Sequence, residues 1–224
     1  MQSIFVFTPI YRLEPETVRA LLALEWPGPL TLHLQRDNPH ADGRANITHQ
    51  YQQGRRAFLA GPYDAMLVVE SDIIPPPDAI ARLAELKADV AYGHYVFRTT
   101  QVSNVYERYP GQPRNEGESL SIHPSKYRAA MKKTKVACSG AGLGCVLIQR
   151  PVLERFDFRT VAGDGGHCDT WFNRDVLRAG MIQRADMELV CGHKHEDGRT
   201  YYPKGYAIPD GHHTDVQAPE PAGQ

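Results

Sequence analysis

Short apolar runs alternate with amphipathic stretches through the first third of the chain, and this alternation limits the fold more than any other feature. Residues 3–8 (SIFVFT) form a continuous apolar run of the kind that is buried in a parallel sheet, and a helical pattern opens at Pro15. The same pair of patterns recurs twice more before residue 87. The order β-α-β-α-β-α predicts an α/β sandwich with a parallel sheet.

The second half of the chain is organised differently. Residues 98–135 are polar and rich in Arg, Lys, Tyr, Ser and Pro, which predicts a surface insertion or lid. A strand pattern returns at residues 144–149 and an amphipathic helix pattern at residues 168–179. We therefore expect one domain over residues 1–204, followed by a flexible tail at residues 205–224.

Composition excludes several classes of protein. The 224 residues carry a formal net charge of −1, so a general affinity for polyanions is not expected. The N-terminal residues read as a first strand and lack the pattern of a signal peptide, and no apolar run is long enough for a membrane span. The four cysteines lack the spacing of a zinc site or a disulfide framework, which favours a reduced, cytoplasmic protein.

The strand predicted at Ala65–Val69 runs directly into Glu70, Ser71 and Asp72, and three prolines follow. Ligands of open α/β sheets bind beyond the carboxyl ends of the strands. Because residues two apart in an extended chain point the same way, the two carboxylates predict an oxygen site for Mn²⁺ or Mg²⁺. The alternative is a solvated strand end, where Asp and Ser commonly start turns.

Residues 68–80, "VVESDIIPPPDAI", resemble the acidic motif of nucleotide-sugar-dependent glycosyltransferases of the inverting, family-2-like GT-A type. The resemblance implies the GT-A (nucleotide-diphospho-sugar transferase) fold, an α/β fold with a mixed, mostly parallel sheet flanked by helices. In that family an Asp-x-Asp motif holds the metal that binds the donor diphosphate. The resemblance implies that Asp72 is a metal ligand and that Ser71 lies at the nucleotide. Glu70 stands where the family has its first Asp, which implies contact with the metal through water or with the donor ribose.

Two later stretches resemble the same family in the same order. Residues 139–156, "SGAGLGCVLIQRPVLERF", are similar to its glycine-rich segment, which implies sugar or acceptor contacts at Gly140, Ala141 and Gly142. A plain glycine-rich turn is the alternative. Residues 187–199, "MELVCGHKHEDGR", place His193 just past a strand, where several GT-A families have a third metal ligand. His195 is a competitor for that role.

Residues 163–181, "GDGGHCDTWFNRDVLRAGM", resemble the acidic motif at the start of a helix that carries the general base of inverting members. The matching residue is Asp169, with Asp164 as the lesser candidate, although the family's usual acidic residue before the base is Cys168 here. The resemblance also implies that Trp171 contacts the sugar or the acceptor. The alternative is that Asp169 only caps its helix.

The residues after the first two strands correspond to the nucleotide pocket of the family. Arg55 lies on the helix before the acidic strand and could reach the diphosphate. Neither the dinucleotide-binding nor the P-loop glycine pattern is present. The resemblance implies nucleotide contacts at Thr8, Pro9, Tyr11, Arg12, Gln35, Asp37 and Asn38.

Residues 123–135, "HPSKYRAAMKKTK", are strongly basic. One interpretation is a solvated loop or helix. The other is a surface that guides DNA, because neutralised phosphates give salt-dependent affinity; some phage enzymes of this fold glycosylate hydroxymethylated pyrimidines in DNA, in the host cytoplasm. The basic side chains are Lys126, Arg128, Lys132, Lys133 and Lys135.

The resulting hypothesis is a metal-dependent glycosyltransferase that moves a sugar from a UDP- or GDP-sugar to an acceptor hydroxyl with inversion. Two alternatives remain open. One is a sugar nucleotidyltransferase, which usually has a glycine-rich loop with Arg or Lys after the first strand. The other is a non-catalytic module that binds carbohydrate or nucleic acid.

Overall fold

The computed structural model describes residues 1–97, 102–107, 120–121, 134–163, 165–203, 206 and 216–217. Its helices are α1 (Pro15–Leu22), α2 (Gly43–Ala60), α3 (Ala79–Glu85), α4 (Arg150–Arg155) and α5 (Cys168–Arg178). Its strands are β1 (Ile4–Pro9), β2 (Leu30–Gln35), β3 (Ala65–Val69), β4 (Ile73–Ile74), β5 (Val90–His94), β6 (Val105–Glu107), β7 (Leu120–Ser121), β8 (Lys135–Ala141), β9 (Cys145–Gln149), β10 (Gln183–Val190), β11 (Gly192–Lys194), β12 (Thr200–Tyr202) and β13 (Val216–Gln217).

The main sheet has nine described strands in the order β2-β1-β3-β9-β5-β10-β8-β6-β7. Six of them run in one direction, while β7, β8 and β9 run the opposite way. The predicted α/β class, with a mixed, mostly parallel sheet flanked by helices, is confirmed. The antiparallel strand β9 separates β3 from β5, so the parallel part of the sheet is interrupted at its centre.

The helices cover both faces of this sheet. On one face, Phe58 of α2, Val152 of α4 and Phe172 of α5 belong to one buried cluster. On the other face, Leu21 of α1 and Ile80 of α3 belong to a second cluster. The two clusters take alternate residues of β1 and β3, as expected for strands that are buried on both sides.

A second, smaller sheet stands at the end of β3, in the order β13-β12-β11-β4. Within it Ile73 is paired with His193 and Ile74 with Gly192, both antiparallel. This short ladder brings the chain after β3 and the chain after β10 together, although 120 residues separate Ile73 from His193 in sequence. The small sheet therefore fixes one wall of the site described below.

Parts of the chain that were predicted as irregular contain strands. The segment predicted as an insertion includes β6 and β7, and β8 begins at its last residue. The segment predicted as a tail includes β13, which pairs parallel with β12. All four cysteines are buried and free. None of the helices in the described ranges is both long enough and apolar enough to span a bilayer.

Candidate active site

A cleft of about 260 Å³ opens where β1 and β3 end. Acidic side chains dominate its wall, and Arg12 is the basic residue among those that line it. A cleft of this charge suits a divalent cation that arrives together with a polyphosphate. The lining residues are Pro9, Tyr11, Arg12, Glu14, Ile47, Glu70, Ser71, Asp72 and Glu196.

Asp72 and His193 face each other at the edge of this cleft. The amide of Lys194 donates a hydrogen bond of 2.7 Å to the carbonyl of Asp72, which extends the ladder between β4 and β11. The Nε2 atom of His193 lies 3.6 Å from Oδ2 of Asp72. This separation is longer than a hydrogen bond and is short enough for both atoms to contact one ion.

The tautomer of His193 is set by its other ring nitrogen. Nδ1 lies 2.7 Å from the carbonyl oxygen of Val96, and since a carbonyl can only accept, Nδ1 carries the proton. In the neutral ring Nε2 therefore presents its lone pair toward Asp72. Metal-binding histidines are oriented in this way by a second hydrogen bond. The donor set fits Mn²⁺ or Mg²⁺, although the described residues contain no group of three or more His, Cys, Asp or Glu side chains that could hold a metal.

Glu70 lines the same cleft but is held by a different neighbour. The hydroxyl of Tyr51 donates a hydrogen bond of 2.8 Å to its Oε1, and its amide donates to the carbonyl of Gly144 at 2.9 Å. Tyr51 is fully buried between Phe7 and Phe158, so its hydroxyl is a rigid donor. Burial, followed by the charge of Glu70, raises the pKa of Tyr51 well above its ordinary value. Glu70 thus has a fixed carboxylate orientation that sequence reasoning did not anticipate.

Asp169 lies in the first turn of α5 and is partly buried. Burial raises the pKa of its carboxyl group, which is the direction that a general base near neutral pH requires. The N-cap position is His167, and Oδ1 of Asp169 accepts from the amide of Thr170 at 2.6 Å. Asp169 therefore lies inside the helix and is not its N-cap residue, so the alternative that Asp169 caps the helix does not hold.

Asp169 also lines a small cavity of about 20 Å³ that is separate from the cleft. Trp171, the predicted sugar or acceptor contact, has the guanidinium groups of Arg159 and Arg174 each 4.9 Å from its ring centroid. Arg159 is bound to Asp175 through two nitrogens. The residues that line this cavity are Tyr106, Ser139, Gly140, Asp169, Thr170, Asn173, Arg174 and Leu177.

Tyr95 packs directly against the pair of Asp72 and His193, through the His193 ring. Its ring packs edge-on against His193, with 5.2 Å between centroids, and its hydroxyl accepts from the amide of Gly144 at 3.3 Å. Burial, followed by the charges of Glu70, Asp169 and Asp72, raises its pKa well above the ordinary value. No sequence pattern singled it out.

The glycine-rich segment packs against protein side chains. A methyl group at Gly142 would collide with the hydroxyl of Tyr95, and one at Gly144 would lie 2.9 Å from the Tyr95 ring. At Gly140, which has φ of +151°, it would lie 2.6 Å from the side chain of Asn173. Asn173 in turn donates to the carbonyl of Ala141 at 2.7 Å. These contacts favour the alternative of a plain glycine-rich turn. Of the three predicted contacts, Gly140 lines the small cavity.

The predicted nucleotide residues at the ends of β1 and β2 differ in their surroundings. Pro9, Tyr11 and Arg12 line the cleft, and Nε of Arg12 lies 2.6 Å from Oε1 of Glu14. Thr8 is buried, and its Oγ1 has no hydrogen-bond partner among the described residues. The remaining side chains are engaged with neighbours outside the cleft lining: Gln35 with His33, Asp37 with His49, and Asn38 with Gln50.

Arg55 does not reach the cleft. Its Nε donates to the carbonyl of Leu153 at 2.6 Å, and Nη1 lies 3.9 Å from Asp157. The guanidinium therefore binds the end of α4, because carbonyls at a helix C-terminus attract a cation. The placement of Arg55 at the diphosphate is not supported by this geometry.

Several predicted residues lie outside the described part of the chain. These are Asp164 and four of the five basic residues assigned to DNA binding, namely Lys126, Arg128, Lys132 and Lys133. The fifth, Lys135, begins β8 and lies 3.5 Å from Glu85 of α3.

No protein-family model and no curated protein matches the chain. Among solved structures, the crystal structure of A197 from STIV is similar, with a TM-score of 0.58 and 17% identity over 94% of this chain and 99% of that chain. The crystal structure of S. aureus TarS 1–349 in complex with UDP has a TM-score of 0.45 and 13% identity over 82% of this chain and 57% of that chain. The likeness to A197 shows a shared fold across nearly the whole chain.

Proposed function

We propose that this protein is a metal-dependent glycosyltransferase that moves a sugar from a nucleoside-diphosphate sugar to an acceptor hydroxyl. The observation that carries the proposal is the pair of Asp72 and His193, in which Nε2 faces a carboxylate at the mouth of an acidic cleft. Asp72 and His193 would hold Mn²⁺ or Mg²⁺, with Glu70 close by. Bound there, the ion supplies electrostatic stabilisation of the diphosphate as it leaves.

The remaining step, activation of the acceptor hydroxyl, is assigned to a residue of this protein. Asp169 accepts the proton of the acceptor hydroxyl as the acceptor oxygen forms its bond to the anomeric carbon. The bond from that carbon to the diphosphate oxygen breaks on the opposite side, and the nucleoside diphosphate leaves with the electron pair. Attack opposite the leaving group inverts the anomeric centre, so a retained configuration in the product would remove Asp169 from this role.

The acceptor is proposed from sequence alone. The basic stretch at residues 123–135 supports hydroxymethylated pyrimidine in DNA, because clustered Lys and Arg attract phosphates. Titration of fluorescent duplex DNA at low and moderate salt tests this part separately. Negligible binding at low salt would remove DNA from the proposal and leave the donor chemistry unaffected.

Thermal unfolding with a panel of nucleoside diphosphates and nucleotide sugars, each with Mn²⁺ or with EDTA, tests the donor site. A ligand that binds only the folded state raises its apparent stability, by about 2.7 kcal/mol at a hundredfold excess over Kd. We expect a metal-dependent shift with one base. If no compound in the panel shifts the transition, the non-catalytic binding module becomes the better interpretation.

A further inference from the structure

The outer edge of β2 is long, regular and open. β2 ends the strand order of the main sheet and pairs with β1 over all six residues without a register shift, so its other edge has no strand partner in the described ranges. The other terminal strands of the two sheets, β7, β4 and β13, have only two residues each. Natural sheets protect long edges with charges, prolines or bulges, and β2, with the sequence LTLHLQ, has none of these.

Three leucines of β2 are exposed on one face of the sheet. Leu30, Leu32 and Leu34 have exposed fractions of 39%, 44% and 46%, and we refer to them as the leucine edge. They are in register with Ile4, Val6 and Thr8 of β1, which are all buried. β1 is therefore covered on this face, whereas the neighbouring strand β2 is exposed.

The backbone amides and carbonyls of β2 that point away from β1 belong to the same three leucines. The amide of Ile4 donates to the carbonyl of Pro29, and the amide of Ile10 donates to the carbonyl of Gln35. Odd-numbered residues of β2 therefore direct their backbone groups toward β1. Since these directions alternate along a strand, the amides and carbonyls of the leucine edge point outward.

We propose that the leucine edge joins two copies of this chain through antiparallel, two-fold pairing of β2. In an antiparallel ladder, residues whose backbone groups face each other exchange two hydrogen bonds, and their side chains lie on the same face. Outward-facing residues must therefore be paired with outward-facing residues. Leu32 lies opposite Leu32 of the partner subunit, and Leu30 lies opposite Leu34 of the partner subunit.

In this register the outward-facing backbone groups form hydrogen bonds and the leucine side chains lie together on one face. For this reason we infer that the strand paired with β2 belongs to a second copy of the chain. The three leucine pairs form one apolar stripe of six side chains on the exposed face of β2. Because β2 has no charged residue, the two-fold pairing brings no like charges opposite each other. The interface is isologous, as in most homodimers, and it joins two nine-stranded sheets into one.

Two further features define the expected behaviour. The described strands β6, β7 and β8 lie at the edge of the main sheet opposite to β2. A single strand edge buries less than the roughly 800 Å² per partner of a standard interface, so the dimer is expected to be weak and concentration-dependent. The inference does not depend on the proposed enzymatic activity.

Sedimentation velocity of the full chain, from low micromolar to submillimolar concentration, tests the proposal. The weight-average mass is expected to rise toward twice the 25.1 kDa of the chain. Leu32→Lys places two like charges opposite each other at the two-fold axis and should keep the protein at the monomer mass throughout. Ile182→Lys is the matched control, because Ile182 is exposed to a similar extent, 48%, and lies outside β2. It should dimerise like the wild type.

A covalent test covers the case in which Leu32→Lys fails to fold. Leu32→Cys should form an intermolecular disulfide under mild oxidation, because directly opposed residues of an antiparallel pair have Cα atoms about 5.5 Å apart. The native cysteines are all buried, so Ile182→Cys serves as the control that should stay monomeric. A wild-type mass that stays at the monomer over the whole range would overturn the proposal, as would a dimer that persists in folded Leu32→Lys.

Discussion

His193 and Asp72 belong to distant parts of the sequence, yet Nε2 of the imidazole lies 3.6 Å from Oδ2 of the carboxylate. The contact depends on the antiparallel ladder between β4 and β11, and the carbonyl of Val96 fixes which nitrogen faces the carboxylate. Three stretches of chain therefore place one imidazole nitrogen next to one carboxylate oxygen. A histidine held by a second hydrogen bond is the arrangement expected for the metal site proposed above.

His193→Gln is expected to abolish the metal-dependent part of the thermal shift caused by nucleoside diphosphates. Loss of an outer-shell partner alone lowers metal affinity by about 10–100-fold, so loss of the ligand should cost at least as much. The matched variant is His195→Gln, because His195 is close in sequence but is half-buried and bound to Asp197. An equal loss in both variants would mean that the effect is not specific to the nitrogen that faces Asp72. The measurement is isothermal titration with Mn²⁺ and the nucleotide.

Asp169→Asn is expected to lower sugar transfer by about 10²–10⁴-fold, the range for loss of a general base, without changing the affinity for the nucleotide. Asp157→Asn is a suitable control, since both carboxylates accept a hydrogen bond from the amide of the following residue. Asp157 lies outside both cavities. Steady-state kinetics with a donor and acceptor pair decides the question, and an unchanged kcat in Asp169→Asn would exclude the base role.

The same substitution should have a pH-dependent effect on stability. The folded-state pKa of Asp169 is raised by burial, so the folded protein binds its proton more tightly than the unfolded chain does. Ionised Asp169 therefore destabilises the fold above that raised pKa, and this cost disappears below the unfolded value of about 3.9. Asp169→Asn should be more stable than the wild type at neutral pH, and the difference should vanish as the pH falls. Denaturant unfolding at several pH values measures it.

The apolar runs of the sequence are sufficient to predict the central strands. Ala65–Val69 is a strand with the predicted bounds, and the strand predicted at residues 144–149 begins one residue later, at Cys145. A buried run does not reveal its direction, so the antiparallel position of β9 between β3 and β5 could not be predicted. β6 and β7 have three and two residues, too few to show a period within a polar stretch.

In the candidate site, too, the sequence reveals features that depend on neighbouring residues and does not reveal those that depend on distant ones. The carboxylates Glu70 and Asp72 are visible because they interrupt an apolar strand. Tyr51 and Tyr95 are not visible, because each looks like an ordinary core residue until the fold brings its hydroxyl to a carboxylate or a glycine amide. The position of the Arg55 side chain could not be predicted for the same reason, since it follows the carbonyls at the end of α4.

Arg12 and Arg55 should therefore respond differently to substitution by Gln. Arg12→Gln is expected to weaken nucleoside diphosphate binding several-fold, because Arg12 is the basic residue in the lining of the cleft and charge-assisted bonds to phosphate are strong. Arg55→Gln should leave that affinity unchanged and lower the free energy of unfolding by about 1–2 kcal/mol through lost bonds to Leu153 and Glu154. Calorimetric titration and denaturant unfolding of both variants separate the two effects. Weaker nucleotide binding in Arg55→Gln would instead indicate that Arg55 contacts the nucleotide.

Gly142→Ala tests whether the absence of a side chain at Gly142 makes room for a substrate or for the side chain of Tyr95. The added methyl group would meet the Tyr95 hydroxyl, and overpacking of this kind costs about 1–3 kcal/mol. Tyr95→Phe removes the oxygen and leaves the ring against His193. If Gly142 serves Tyr95, the methyl group should be tolerated better in the double variant, and a double-mutant cycle of unfolding free energies should show positive coupling. Additive losses of stability, together with a defect in sugar transfer that Tyr95→Phe does not relieve, would instead place the substrate next to Gly142.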